Sequence, residues 1–167
     1  MKGNFILNKD TLDLFDHALG LLEDSIKEFC FITQDMLPET LVNLGLKDTL
    51  GELCNQISVS KERSAKFTFF GENKRFENYL EIALYQIACK LVNIAVKHAK
   101  ANEILLLLLQ EDNRIHLTVI DNGLIDTTNS QELQYIRSEV ESLKGIIKIN
   151  VQPGKGNEIG IEFEIAK

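Results

Sequence analysis

The chain has 167 residues, of which 44% are hydrophobic and 26% are charged. This size and composition suffice for one globular domain with a buried core and a helical appendage. The formal net charge of -7 argues against a general nucleic-acid-binding protein. Binding of that kind needs clustered Lys and Arg to neutralise phosphates, whereas the basic residues here are scattered.

The first extended feature in chain order is a predicted long helix over residues 10–36, which Pro38 ends. Its apolar residues follow the spacing of coiled coils and helical bundles. A lone helix cannot bury such a face, so we expect a partner helix, with self-association as the simplest source. The alternative is docking on the chain's own domain. The predicted partner-facing stripe consists of Leu12, Phe15, Leu19, Leu22, Ile26 and Phe29.

After Pro38, helical patterns alternate with short strand patterns. The predicted helices cover about 46–58, 76–99 and 131–143, and the predicted strands cover 66–71, 103–110, 114–121, 146–151 and 159–165. Short turns join the last four strands in two pairs, which indicates antiparallel hairpins with helices between them. We therefore predict an α+β fold, with a two-layer α/β sandwich over 39–167 and the long helix in 1–38.

The three cysteines, Cys30, Cys54 and Cys89, are far apart and odd in number. They lack metal-ligand spacing, so we expect buried, reduced thiols and no metal site. The apolar run 104–109 is far shorter than the roughly 20 residues that span a bilayer. The N-terminus does not resemble a signal peptide. These features predict a cytoplasmic protein with no membrane span.

Four segments, in order, carry a family pattern. They are 32–46, which includes Pro38; 84–101, which includes Asn93, Lys97 and His98; 117–123, which ends in Asp-Asn-Gly; and 140–156. They resemble the second dimerisation helix, the asparagine-box helix, the first glycine box and the closing helix and hairpin of sensor histidine kinases. The resemblance is to the nitrate-sensor type, within the histidine-kinase-like ATPase (GHKL) family. It implies an ATP-binding domain fold preceded by a dimerisation helix.

The resemblance also implies a nucleotide site. Its candidate residues here are Asn93, Lys97 and His98 on the helix and Asp121 and Gly123 after the strand. In the intact family, a glutamate and an asparagine one helical turn apart hold the Mg²⁺ that bridges the phosphates. Counting back from Lys97, these positions are Lys90 and Ile94, a cation and an aliphatic side chain.

The residues around these two positions do not restore the family pattern. Asn93 is one residue away and is expected on another face of the helix, rotated by about 100°. We expect Lys90 to be a solvated charge; the alternative is an ammonium that replaces the metal beside a phosphate.

Other glycine-box positions also depart from the family. Ile125 replaces the second glycine of the first box, no glycine lies between Gly123 and Gly145, and Asn157 stands where the family usually has threonine. Together these changes predict loss of the lid and phosphate cradle that phosphoryl transfer needs. We predict no catalytic residue and no cofactor, with ATP and Mg²⁺ as the alternative if the site still functions.

The sequence therefore predicts a catalytically degenerate two-component signalling protein. It would resemble the C-terminal part of a sensor histidine kinase and act by dimerising and by binding a kinase or response regulator. One alternative is an ATP-binding kinase fragment that still autophosphorylates. Another is a histidine phosphotransfer protein using His17, although Ala18 follows it in place of an acid and a surface histidine is favoured. Without metal, His98 is expected to cap its helix.

Overall fold

The structure is a computed structural model that describes residue 17 and residues 39–59, 62–124, 130–152 and 155–165. The chain divides into two compact units, Met1–Met36 and Leu37–Lys167. His17, in the first unit, is helical and exposed. The rest of the predicted long helix, with its partner-facing stripe, lies outside the described residues and stays a prediction, as does Cys30.

The second unit alternates helices and strands, as predicted. Its helices are α1 (Glu39–Asn43), α2 (Leu46–Ser58), α3 (Asn78–Asn93) and α4 (Gln131–Ser142), and a π-helical turn, Ile94–His98, continues α3. Its strands are β1 (Ser64–Gly71), β2 (Glu103–Gln110), β3 (Arg114–Asp121), β4 (Ile146–Gln152) and β5 (Gly156–Glu164).

The strands form one five-stranded sheet in the order β1-β2-β3-β5-β4. The hairpins β2–β3 and β4–β5 are antiparallel, as predicted, and β3 pairs antiparallel with β5. Among the described strands, only β1 is parallel to its neighbour, β2, and this pairing was not predicted from the sequence. A parallel pair needs a long crossover connection, which α3 provides. The fold is thus the predicted α+β sandwich.

The core lies between the helices and one face of the sheet. On β2, Ile104, Leu106 and Leu108 are buried whereas the alternating leucines are partly exposed, since successive strand residues point to opposite faces. On α3, the buried residues Leu84 and Ile87 lie three positions apart, on the side that meets the core. Two periodicities in the sequence, of about 2 and 3.6, therefore produce the two layers.

The structure differs from the sequence prediction at several element ends. The helix predicted over 76–99 begins at Asn78 and ends in the π-helical turn, and β1 begins two residues earlier than predicted, at Ser64. Helix α1 was missed because it has five residues, too few for a periodic apolar pattern. By contrast, α2, β2 and β3 have the predicted bounds.

The stretch Asn78–His98 is long and apolar enough to cross a membrane, with a mean hydropathy of 1.3 over its best window. The expectation of no membrane span rested on the run 104–109 and did not take this helix into account. Within the structure, 67% of that window is buried. Its hydropathy is therefore accounted for by its place in the core of the domain.

Cys54 and Cys89 are buried, as predicted, and neither is in a disulfide. Burial raises the pKa of the Cys54 thiol to about 11. Desolvation disfavours the thiolate, so this thiol stays protonated and unreactive near neutral pH.

An ion pair between the half-exposed Arg75 and the buried Glu81 fixes α1 to the start of α3. The Arg75 guanidinium contacts Glu81 at 2.8–3.2 Å and also donates to the backbone carbonyls of Leu41 and Val42. The Glu81 side chain is only 3% exposed and also accepts from the Phe76 N–H at 3.0 Å. Because a buried carboxylate needs such partners, this network joins three segments of the chain.

We expect Glu81→Ala to lower the free energy of unfolding by about 1–3 kcal/mol, because it removes the acceptor of a buried hydrogen-bond network. The control is Glu72→Ala, which breaks an exposed pair with Lys74 and should leave the melting temperature at its wild-type value. Equal melting temperatures for the two variants in thermal unfolding would contradict the role assigned to Glu81.

Candidate functional site

The candidate site begins with the side of α3 that faces away from the sheet. Gln86, Lys90 and Asn93 are partly exposed and follow one another at spacings of four and three, so they share this side. Ile94 is only 2% exposed and belongs to the core. From its spacing, Ile94 was expected at the family's amide position and Asn93 on another face of the helix. The two residues do lie on different faces, with Ile94 buried and Asn93 partly exposed.

A π-helical turn begins at Ile94. The Ala99 N–H donates to the Ile94 carbonyl at 3.0 Å, a bond spanning five residues where an α-helix spans four. The turn therefore holds one more residue than a regular turn. Ile94 itself continues the apolar side of α3, three residues after Leu91 and seven after Ile87, whereas Asn93 lies on the accessible side.

Lys90 is not a solvated charge, and this prediction was wrong. Its ammonium lies 2.8 Å from Glu139 Oε2 on α4, with the two side chains 29% and 21% exposed. It also lies 5.0 Å from the centre of the Tyr135 ring, a cation–π distance. The sequence could not reveal this pair, because Lys90 and Glu139 are 49 residues apart in the chain and meet only when α4 packs beside α3.

Helix α4 presents one face to the core and another to α3. It begins at an N-cap, Ser130, whose hydroxyl accepts from the Leu133 N–H at 3.2 Å. From its first turn, the Glu132 carboxylate lies 3.2 Å from His98 Nε2. His98 therefore faces a carboxylate of α4, a contact that the expected helix-capping role did not include.

The turn after β3 is held by hydrogen bonds to one carboxylate oxygen. Asp121 is buried, and its Oδ1 accepts from the Gly123 N–H at 2.7 Å and from Asn157 Nδ2 at 3.0 Å. Asn157, the residue that replaces the family's threonine, is thus a direct partner of Asp121. The sequence analysis did not predict this contact, which joins the end of β3 to the start of β5.

Close backbone approaches explain two glycines at this turn. A Cβ on Gly123 would lie 2.4 Å from the Ala99 Cβ and 2.7 Å from the Ala99 carbonyl oxygen, which accepts from the Leu124 N–H. Gly156 has a φ of 113°, and a Cβ there would lie 1.9 Å from the Asp121 carbonyl oxygen. Both positions exclude a side chain, so they fix the path of the chain beside Asp121.

A shallow cavity of about 330 Å³ lies elsewhere, over strands β3, β5 and β4. It is lined in part by His116, Lys148 and Glu162. His116 is partly exposed there, with Nδ1 3.7 Å from Glu162 and Nε2 3.5 Å from Glu111. None of the predicted nucleotide-site residues lines this cavity.

Comparison with known proteins finds sensor histidine kinases that are similar in sequence. No protein-family model matches the chain. The signal transduction histidine-protein kinase/phosphatase DegS of Brevibacillus brevis is 24% identical over 99% of this chain and 47% of its own length. Sensor histidine kinase ComP of Bacillus subtilis is 28% identical over 94% of this chain and 21% of ComP. Nitrate/nitrite sensor protein NarX of Escherichia coli is 27% identical over 74% of this chain and 21% of NarX.

Solved structures show the same fold. The ATP-binding domain of PrrB from Mycobacterium tuberculosis superposes with a TM-score of 0.56 at 12% identity, covering 72% of this chain and 94% of that domain. The histidine kinase domain from the Erythrobacter litoralis EL346 blue-light activated kinase gives 0.54 at 16% identity, covering 71% and 64%. The chain is a homologue of sensor histidine kinases. It has the fold of their ATP-binding domain and spans about half or less of the length of these curated relatives.

Within this sensor-kinase fold, the predicted site residues are only partly brought together. Asp121 and Gly123 share one turn, and Gly123 lies against Ala99, the residue after His98. Lys97 and His98 are exposed at the end of the π-helical turn, and Asn93 is partly exposed. Their roles in nucleotide binding stay predictions. Ile125 lies outside the described residues, so its effect on the glycine box stays a prediction too.

The residues at the metal positions do not fit Mg²⁺. This cation requires oxygen ligands, whereas the carboxylate position carries the Lys90 ammonium. The amide position carries Ile94, an aliphatic side chain buried in the core. Among the described residues no cluster of His, Cys, Asp and Glu has the geometry of a metal site.

We expect Gly123→Ala to destabilise the domain by about 1–3 kcal/mol, because the added methyl overlaps Ala99 and the Asp121 carboxylate. Gly160→Ala is the matched control, since its Cβ would meet only Thr118 Oγ1, at an ordinary 3.6 Å. Chemical denaturation measures both. A Gly123→Ala variant as stable as Gly160→Ala would show that the turn does not need the glycine.

Proposed function

We propose that this chain is a two-component signalling protein in which the ATP-binding fold of a sensor kinase no longer transfers phosphate. It acts through protein contacts, as a cytoplasmic homodimer that binds a histidine kinase or a response regulator. The observation that carries the proposal is the Lys90–Glu139 ion pair, 2.8 Å long, at the position where the family holds its metal-binding carboxylate.

The electrostatics of this face support the loss of catalysis. Phosphoryl transfer depends on cations that neutralise charge developing on the phosphate oxygens. Here the Lys90 charge is already matched by Glu139, and the His98 ring lies beside the Glu132 carboxylate. A triphosphate entering between α3 and α4 would meet two carboxylates, and no oxygen ligand from Lys90 or Ile94 would hold its metal.

In the family that the chain resembles, the aspartate at position 121 accepts the adenine amino group, so the turn at Asp121 supports the alternative that an adenine still binds. Asp121 and Gly123 are the residues that the family has at these positions. The Asp121 carboxylate is held in place by hydrogen bonds from the Gly123 N–H and from Asn157. Adenine binding alone would make the domain a nucleotide sensor without kinase activity. Such binding would be weak and independent of Mg²⁺, because no family metal ligand remains.

Titration calorimetry of the full chain with ATP, with and without Mg²⁺, tests the loss of catalysis. We expect no Mg²⁺-dependent binding at micromolar ATP. Any Mg²⁺-independent heat should disappear in Asp121→Asn, which keeps an oxygen to accept from the Gly123 N–H but removes the charge. Mg²⁺-dependent micromolar binding by the wild type would refute the proposed loss of catalysis.

Dimerisation rests on the apolar stripe of the predicted long helix. We expect the wild type to have twice the monomer mass in multi-angle light scattering, and Leu19→Glu with Ile26→Glu to be monomeric, because both charges would enter the predicted interface. His17→Glu, off this stripe, is the matched control and should remain dimeric. A monomeric wild type would eliminate the homodimer.

A further inference from the structure

Helix α4 carries an acidic and aromatic stripe that faces α3. Glu132, Tyr135 and Glu139 are spaced by three and four residues, so they share one side of the helix. The other side is apolar and buried in the core, through Leu133, Ile136 and Val140. The apolar side is sufficient to explain why α4 packs on the core. It does not explain why α4 also has charged residues on the side that faces α3.

The contacts of this stripe run along α3 in the antiparallel sense. Near the C-terminal end of α4, Glu139 lies 2.8 Å from the Lys90 ammonium, and near its N-terminal end Glu132 lies 3.2 Å from His98. Tyr135, between them in sequence, has its ring 5.0 Å from the Lys90 ammonium. One cation thus has two partners on successive turns of α4, which fixes the position of α4 along α3.

The two ends of this arrangement differ in strength. The Lys90 and Glu139 side chains are largely removed from solvent, so water and salt screen their attraction less. The His98 and Glu132 side chains are about half exposed, so their pair contributes little. The main stabilising contact is therefore Lys90 with Glu139. The Tyr135 ring, 64% exposed, adds a cation–π contact to the same ammonium at the solvent edge.

We propose that Lys90, Glu139 and Tyr135 form an internal clamp that holds α4 on α3 without any ligand. This inference rests on the proposed function, in which no metal or phosphate bridges the two helices. The clamp joins α3 to α4 through the chain's own charges. The exposed side of α4 therefore has a fixed position in the domain when no nucleotide is bound. A glutamate at position 90 would instead place two carboxylates side by side and repel α4.

Hydrogen exchange of the α4 amides, measured on the full chain without nucleotide, tests the clamp. We expect exchange over Gln131–Ser142 to be roughly fivefold faster in Lys90→Met, because local opening of α4 loses a charge-assisted hydrogen bond. Lys90→Glu should be faster still. The charge swap Lys90→Glu with Glu139→Lys should return most of the protection, since the pair re-forms with its charges exchanged.

Matched measurements separate the clamp from a general loss of stability. Arg114→Met removes ion pairs to Glu162 and Glu164 on the sheet and should leave α4 exchange unchanged. Glu139→Gln, a milder change, should reproduce Lys90→Met. Wild-type exchange of α4 in Lys90→Met, or a charge swap as fast as Lys90→Glu, would overturn the clamp. Neither outcome alters the ATP titration, so failure of the clamp and of the proposed function are distinguishable.

Discussion

Leu84, Ile87 and Leu91 bury one side of α3 against the sheet, and their side chains are 0–1% exposed. Because a helix repeats every 3.6 residues, fixing this side also fixes which residues take the opposite one. Lys90 and Asn93 lie there, directed away from the core. The position of the site is thus a consequence of core packing, and the chemistry of the site depends on what the packing leaves outside.

The turn at Asp121 illustrates how a binding-site residue can hold a fold without its ligand. The Asp121 Oδ1 atom accepts two hydrogen bonds from within the chain, one from Gly123 and one from Asn157. Loss of either would leave a buried carboxylate poorly compensated. Retention of this aspartate and its glycine therefore has a structural reason, which is independent of whether a nucleotide binds.

At the metal positions, the chain has residues whose charges pair with each other and need no ligand. Lys90 and Glu139 satisfy each other across α3 and α4, and breaking such a pair leaves a partly buried charge without its partner. The fold of a sensor-kinase ATP-binding domain can therefore persist while its catalytic electrostatics change. This separation of fold from site supports the proposal of a signalling protein that works through its surfaces.

Local pattern in the sequence was enough to predict much of the fold. The bounds of α2, β2 and β3 agree with their apolar periodicity, and short turns between alternating strands correctly predicted both hairpins. Family resemblance also selected Asp121 and Gly123, which do share one turn. These features depend on residues close together in the chain, where spacing and turn chemistry carry the information.

Contacts between distant segments were decided only by the tertiary structure. The parallel pairing of β1 with β2 requires α3 to cross between them, and the packing of α3 on the sheet buries Ile94 while Asn93 stays partly exposed. The charge of Lys90 was plain in the sequence, but its partner was not. Glu139 is 49 residues away, and the two atoms meet only because the apolar sides of α3 and α4 pack into the same core.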